Sequence, residues 1–401
     1  MRTTMGEGRE NQGMRVRGTA LMVLFATGAI MLAASATNAA DQPAAYRVYL
    51  GTYTGNGSQG IYTAKFDTAT GALSGVELAG ELKNPSFLAI HPSRKYLYAV
   101  SEVADANGKP TGGVAALAVD ETTGKLTLLN TQSSGGAGPC HVNLDRAGKT
   151  AVVANYGGGS VASYAIGADG KLAPAASVMQ HRGSSVDKSR QEAPHAHSVY
   201  VDPSSRWVLS ADLGLDKVMI YGLNPQTSQL TEQTPGFAKV APGAGPRHFA
   251  FHPNGKYGYV INELGNTVTV FAWDADKGTL TEIQTIGTLP VDFTGKSYTA
   301  EVVVHPSGKF LYGSNRGHNS LAIFRVDEAT GKLTLLGQQP TRGDHPRNFN
   351  IDPTGRWILC GNANTDNIVT LKIDPTTGHL TDTGLELKLS KPVCVKFTEW
   401  K

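Results

Sequence analysis

One segment recurs along this chain at nearly constant spacing. It is an apolar strand, a turn, and a second apolar strand. It reads AIHPSRKYLYAV from Ala89, AFHPNGKYGYVI from Ala250 and VVHPSGKFLYGS from Val303. Weaker copies are NLDRAGKTAVVA from Asn143, YVDPSSRWVLSA from Tyr200 and NIDPTGRWILCG from Asn350. The first turn residue of each copy serves as an anchor: His91, Asp145, Asp202, His252, His305 and Asp352, spaced 54, 57, 50, 53 and 47 residues apart. A second segment, an alternating strand followed by a D-x-x-T-G-type turn and another strand, starts at Ile61, Val114, Val161, Val218, Val268, Leu321 and Ile368. That is a hairpin pattern. Each repeat therefore holds four short strands, a to d. A period of roughly 50 residues with four strands is a propeller blade rather than a helical solenoid unit.

The count closes a ring. Lys391–Phe397 (KPVCVKF) matches strand a, and Tyr46–Thr52 (YRVYLGT) matches strand b, so one blade is assembled from both ends. The expected fold is all-β: a seven-bladed β-propeller of four-stranded antiparallel blades, with no open sheet edge. At 401 residues the length alone suggests two or three domains. The repeat overrules that and predicts one domain over residues 41–401. The low share of charged residues, 17%, and the 47 glycines agree with many short strands and turns.

Residues 1–40 read differently. Arg15 and Arg17 precede an apolar run from Ala20 to Ala34, and SATNAA (Ser35–Ala40) follows. This is the order of a secretory signal peptide, and the run is short for a membrane span. It predicts a periplasmic or secreted protein with no stable membrane insertion once the leader is removed. Without the leader the chain carries 32 basic and 31 acidic side chains, a balance that gives no sign of nucleic acid as a partner. Cys140, Cys360 and Cys394 are too few and too far apart for a disulfide framework, and no CxxC or HExxH motif signals zinc.

In a propeller, strand a lines the central channel. The start of strand a and the end of strand b should meet at one channel mouth. Four residues before the anchors stand Phe87, His141, Ser198, His248, Glu301 and Asn348, with Cys394 in the split blade. Five before stand Ser86, Cys140, His197, Arg247, Ala300 and Arg347, with Val393. A buried strand start should be apolar, yet these columns gather three His, two Arg and a Glu. Glu102, Glu263 and Arg316 fall just past strand b, behind a recurring Asn column that includes Asn155. Convergent acids and bases in one cavity are the expected form of a small-molecule site. His91, His252 and His305 read as turn formers at the opposite end. The recurrence of the Asn column reads as turn bonding, with Asn155 still within reach of a ligand. His195 and His197 form H-x-H, but no third ligand follows at a diagnostic spacing, so no metal and no other cofactor is expected. The longest insertion, His181–Ala193, is basic and lies over the same mouth, either as a lid for an anionic ligand or as a solvated loop.

GAGPRHFAFHPNGKYGYVINEL (Gly243–Leu264) resembles the signature blade of the propeller-type bacterial 6-phosphogluconolactonases, the seven-bladed lactonases. HPRNFNIDPTGRWILCGN (His345–Asn362) and PHAHSVYVDPSSRWVL (Pro194–Leu209) resemble neighbouring blades. The similarity runs from Tyr46 to about Phe397. It implies a lactone hydrolase, with 6-phosphogluconolactone as the usual substrate. The leader points away from cytosolic sugar phosphates, so a lactone of an oxidised sugar in the periplasm stands beside it. That family also resembles fungal carboxy-muconate lactonising enzymes, whose metal-free site uses a His, an Arg, a Glu and a second Arg; by blade position these match His197, Arg247, Glu263 and Arg316. A lactonising isomerase and a non-enzymatic binding propeller are the alternatives.

For lactone hydrolysis, Glu263 or His197 is the expected base and Arg247 the oxyanion partner. Arg347 and Arg316 are expected to grip a phosphate or carboxylate. His248 joins the catalytic set. His141, Asn155 and Glu301 are assigned to substrate binding. Strand alternation places Arg247 and His248 on opposite faces, so both reach the mouth only if the strand start is irregular. A monomer acting on a lactone or another anionic sugar derivative is expected.

Overall fold

The structure is a computed structural model that describes residues 43–55, 57–103 and 112–400. The leader-like residues 1–40 lie outside the described residues. The described residues form seven four-stranded antiparallel sheets, six of them simple meanders in chain order and the seventh joining the last strand to the first three. Blade 1 runs from Leu88 to Ser133, blade 2 from Pro139 to Gln180 and blade 3 from Ala196 to Lys239. Blade 4 spans Pro246–Gly287, blade 5 Tyr298–Pro340 and blade 6 Pro346–Lys388. Blade 7 joins Pro392–Glu399 to the three strands between Ala45 and Glu81. Cys394 pairs with Gly51 and Phe397 with Val48 in that join. Among the described residues no helix is long and apolar enough to cross a membrane.

Burial explains the patterning. Strand b of blade 2, Thr150–Asn155, is buried at every position because adjacent blades cover both of its faces. It therefore reads as a continuous apolar run. Strand d at the rim, such as Leu126–Ser133, is mostly half-buried or exposed and stays polar. The D-x-x-T-G turns are closed locally. In blade 1 the Asp120 carboxylate accepts from the Thr122 and Thr123 amides, and Gly124 takes φ +77°, which favours glycine.

The blades are also stitched to each other. Buried tyrosines at one place in strand b donate to the glycine carbonyl of the next blade's c–d turn: Tyr49 to Gly124, Tyr98 to Gly170, Tyr259 to Gly331 and Tyr312 to Gly378. Each buries a large apolar ring while its hydroxyl stays paired. His91, His252 and His305 occupy the a–b turns, and their Nε2 atoms lie 2.8–2.9 Å from the carbonyls of Gly148, Gly308 and Gly355 in the next blade. Where the anchor is Asp202 or Asp352, the carboxylate closes its own turn instead. The three cysteines are buried and unpaired.

Candidate active site at the channel mouth

The irregularity that the strand starts need is present, and it is a bulge. In blade 4, Pro246 pairs with Asn262 and His248 with Ile261, which leaves Arg247 unpaired. The same shift leaves out Cys140 in blade 2, His197 in blade 3, Arg347 in blade 6 and Val393 in blade 7. In blade 5 it spans Ala300 and Glu301. A bulge re-aims the extra side chain. The column five residues before the anchor is thus turned toward the mouth, and Arg247 Nη1 comes 3.2 Å from His248 Nε2.

These residues line a narrow recess that also includes Ser86, Glu102 and Asn348. Arg247 ties this recess to a buried ion cluster beside it. Glu263 Oε2 lies 3.0 Å from Arg247 Nε and 2.7 Å from Arg316 Nη2, and its Oε1 lies 2.6 Å from Arg190 Nη2. Backbone carbonyls fix the cations: Arg247 donates to Ala300 and Arg316 to Thr299. Burial alone would raise the Glu263 pKa, but Arg316, Arg247 and Arg190 outweigh it and bring it down to about 2. Glu263 is therefore a fixed anion that holds three guanidiniums, and it is poorly suited to take a proton at neutral pH. Burial, Arg247 and Arg347 all hold the neighbouring imidazoles, His197 and His248, well below the ordinary histidine range, so both are neutral.

Arg347 donates to Tyr53 Oη at 2.9 Å, and Tyr53 in turn donates to Glu102. Cys140 Sγ lies 3.9 Å from His197 Nδ1, but burial pushes its thiol up and keeps it protonated.

Three sequence-predicted substrate-binding residues stand elsewhere. His141 and Glu301 line a second chamber, of about 720 Å³, that shares Phe87 and Asn348 with the recess. His141 stacks on Phe87 at 3.9 Å between ring centroids, and Glu301 hydrogen-bonds His248. His141 is paired just past the bulge of its strand, whereas Glu301 lies within the longer irregularity of blade 5. Asn155 is fully buried and donates its amide to Ser134 and Ser160 around the b–c turn. His195 and His197 diverge around Tyr156, which stacks on the first at 4.5 Å and meets the second edge-on at 5.1 Å. Among the described residues no three His, Cys, Asp or Glu are grouped to hold a metal.

Sequence reasoning missed Arg190 and Tyr53. The signal for Arg190 was the 181–193 insertion, which is a packed structure rather than a solvated loop. Gln191 donates to Leu213 and Asp216, Ser185 donates to Asp216, and His181 meets Asp212 at 2.5 Å. Tyr53 lies just past the end of strand b in the split blade.

Residues 47–397 match the family described as "Lactonase, 7-bladed beta-propeller". The chain belongs to this lactonase family. It is 40% identical over 352 residues to the 6-phosphogluconolactonase of Bacillus subtilis strain 168, covering 88% of this chain and 98% of that one. It is 36% identical over 304 residues to the 6-phosphogluconolactonase of Formosa agariphila, covering 73% and 82%. The solved structure of the Pseudomonas aeruginosa periplasmic gluconolactonase superposes with a TM-score of 0.84 at 32% identity, covering 89% of this chain and all of that one. The seven-bladed ring is therefore family architecture. What distinguishes a lactonase from any other propeller has to lie in the mouth.

Proposed function

We propose that this chain is a lactonase that opens a sugar-type lactone at the channel mouth. The observation that carries the reading is the convergence of Arg247 with neutral His197 and His248 in one recess of a lactonase-family ring, Arg247 being fixed by the Arg-bound Glu263 beside it. Hydrolysis needs a water made nucleophilic and a cradle for the charge that develops on the carbonyl oxygen. A neutral imidazole at the mouth takes the water proton, a contribution of ~10²–10⁴-fold. Arg247 is a buried cation held in place by Glu263 and the Ala300 carbonyl, so it meets the oxyanion with little reorganisation. Arg347, whose hydrogen bond goes to a neutral phenol, is available to a substrate hydroxyl or anionic group. Arg316 holds the other flank of Glu263.

The leader-like residues 1–40 and the periplasmic P. aeruginosa relative support an exported enzyme that meets unphosphorylated aldonolactones. The test is a pH-stat assay with D-glucono-1,5-lactone and its 6-phosphate, corrected for spontaneous hydrolysis. The expected result is enzymatic turnover, with the unphosphorylated lactone preferred. If folded protein accelerates neither lactone, the ring is a binding module.

A further inference from the structure

We infer that Glu301 is the positioning residue of the reaction: it orients His248 as the base that activates water. This rests on the lactonase reading above and chooses between the two neutral imidazoles of the mouth.

The hydrogen-bond geometry determines the form of His248. Its Nε2 faces Arg247 Nη1 at 3.2 Å, and a guanidinium can only donate. Nε2 therefore carries the lone pair. Nδ1 carries the proton and donates it to Glu301 Oε1 at 2.8 Å. Glu301 is itself held on both oxygens. Oε1 also accepts from the Val302 amide at 3.0 Å, and Oε2 accepts from the Asn348 amide. The Glu301 amide is tied to Ser314 Oγ at 2.9 Å. The carboxylate thus has one orientation, and so does the ring it holds. A base oriented by a third group is the recurring arrangement of activated nucleophile sites.

His197 lacks a carboxylate partner of that kind. Its Nδ1 has only the weak sulfur contact to Cys140 Sγ at 3.9 Å, and its Nε2 is 3.9 Å from Glu263 Oε2, beyond the reach of about 3.2 Å for an orienting bond to oxygen. Glu263 is in any case committed to three guanidiniums.

The charge around His248 makes the partner necessary. Arg247 on its own strand, Arg347 from blade 6, Lys396 from blade 7 and Arg316 from blade 5 all oppose a positive imidazole. His141 and His197 flank it at 5.4 and 5.5 Å between ring centroids, and Phe87 at 5.8 Å. An imidazolium formed there needs a carboxylate in contact, and Glu301 supplies it.

The step balances. The carbonyl oxygen settles against Arg247 and draws the Nη1 proton away from His248. Water gives one proton to His248 Nε2 while its oxygen bonds the carbonyl carbon, and the carbonyl π pair moves to the oxygen. Collapse of this adduct breaks the ring C–O bond. The imidazolium returns its proton to the departing ring oxygen, which becomes the hydroxyl of the open hydroxy acid. Glu301 touches no substrate atom in this scheme.

The test compares wild type, Glu301→Gln and Glu301→Asp on D-glucono-1,5-lactone, with circular dichroism to confirm folding. Glu301→Gln keeps the shape and removes the charge, and kcat is expected to fall on the order of 10²-fold with KM within about threefold of wild type. Glu301→Asp is expected to recover part of the loss. Separately, ¹⁵N-histidine NMR near neutral pH, with His248 assigned by its absence in His248→Asn, is expected to show the Nδ1-protonated tautomer. Folded Glu301→Gln with near wild-type kcat overturns the inference, as does an Nε2-protonated His248. If wild type opens no lactone, the lactonase reading fails instead, and the tautomer alone then decides whether Glu301 orients His248.

Discussion

Arg190 and Glu263 stand 73 positions apart in sequence and meet at 2.6 Å across the channel mouth. The contact joins the 181–193 insertion to blade 4 and completes the cluster of three guanidiniums on one carboxylate. It makes the insertion part of the site, and it means that Glu263 anchors cations rather than shuttling protons.

Glu263→Gln should lower stability strongly at neutral pH, because it leaves buried guanidiniums without their counter-charge. Breaking a buried pair typically costs about 3–5 kcal/mol. The sign with pH follows from the depressed folded pKa of about 2 against an ordinary 4.5. The ionised carboxylate stabilises the fold fully above the unfolded value and loses that contribution as pH falls through about 2, a linkage worth roughly 3 kcal/mol. Urea titrations of wild type and variant should differ most above pH 5 and converge toward pH 2. A difference independent of pH would contradict the charge assignment.

Arg247→Ala should fold and lose roughly 10²–10³-fold in kcat/KM, the usual cost of one oxyanion donor. Steady-state lactone hydrolysis measures it. Activity within a few-fold of wild type would remove Arg247 from the chemistry.

Arg190→Ala removes a half-exposed contact while Gln191, Ser185 and His181 keep the insertion anchored. Stability should change by no more than about 1 kcal/mol. KM should rise several-fold with kcat less affected, since Arg190 grips the Glu263 carboxylate that holds Arg247 at the recess. An unchanged KM would show that the insertion is only packing.

Because burial and the guanidiniums keep His197 and His248 neutral well below the usual histidine range, kcat/KM should stay flat as pH drops from 8 to 6. Loss of half the activity near pH 6.5 would point to an unperturbed histidine as the base. Dialysis against EDTA should leave the rate unchanged, since Arg247 is assigned the polarising role.

Deleting residues 391–401 removes strand a of blade 7, which pairs with Tyr46–Thr52 and packs against blade 6. The ring would open and expose unpaired edges. The truncated chain is expected to be insoluble or associated by size-exclusion chromatography. A soluble monomer with a wild-type melting temperature would show that closure is dispensable.

Much of this protein was legible in its sequence because its regularities are local. The anchor spacing counts the blades, and the half-motifs at Tyr46–Thr52 and Lys391–Phe397 show how the ring closes. Charged residues at strand starts that should be apolar point to the mouth and single out His141, His197, Arg247, His248, Glu301 and Arg347, and the ends of strand b add Glu102, Glu263 and Arg316. Tertiary structure decided what each of them does. A period-two rule separates Arg247 from His248; the bulge that reunites them belongs to the pairing of two strands, which neither strand encodes alone. His141, one residue past its bulge, and Glu301, inside the longer irregularity of blade 5, line the second chamber instead. Glu263 reads as a free base in sequence and becomes a fixed anion only when Arg190, Arg247 and Arg316 arrive from a loop and two blades. Proton affinity depends on burial and on charges a few ångströms away, and those distances exist only in the folded ring.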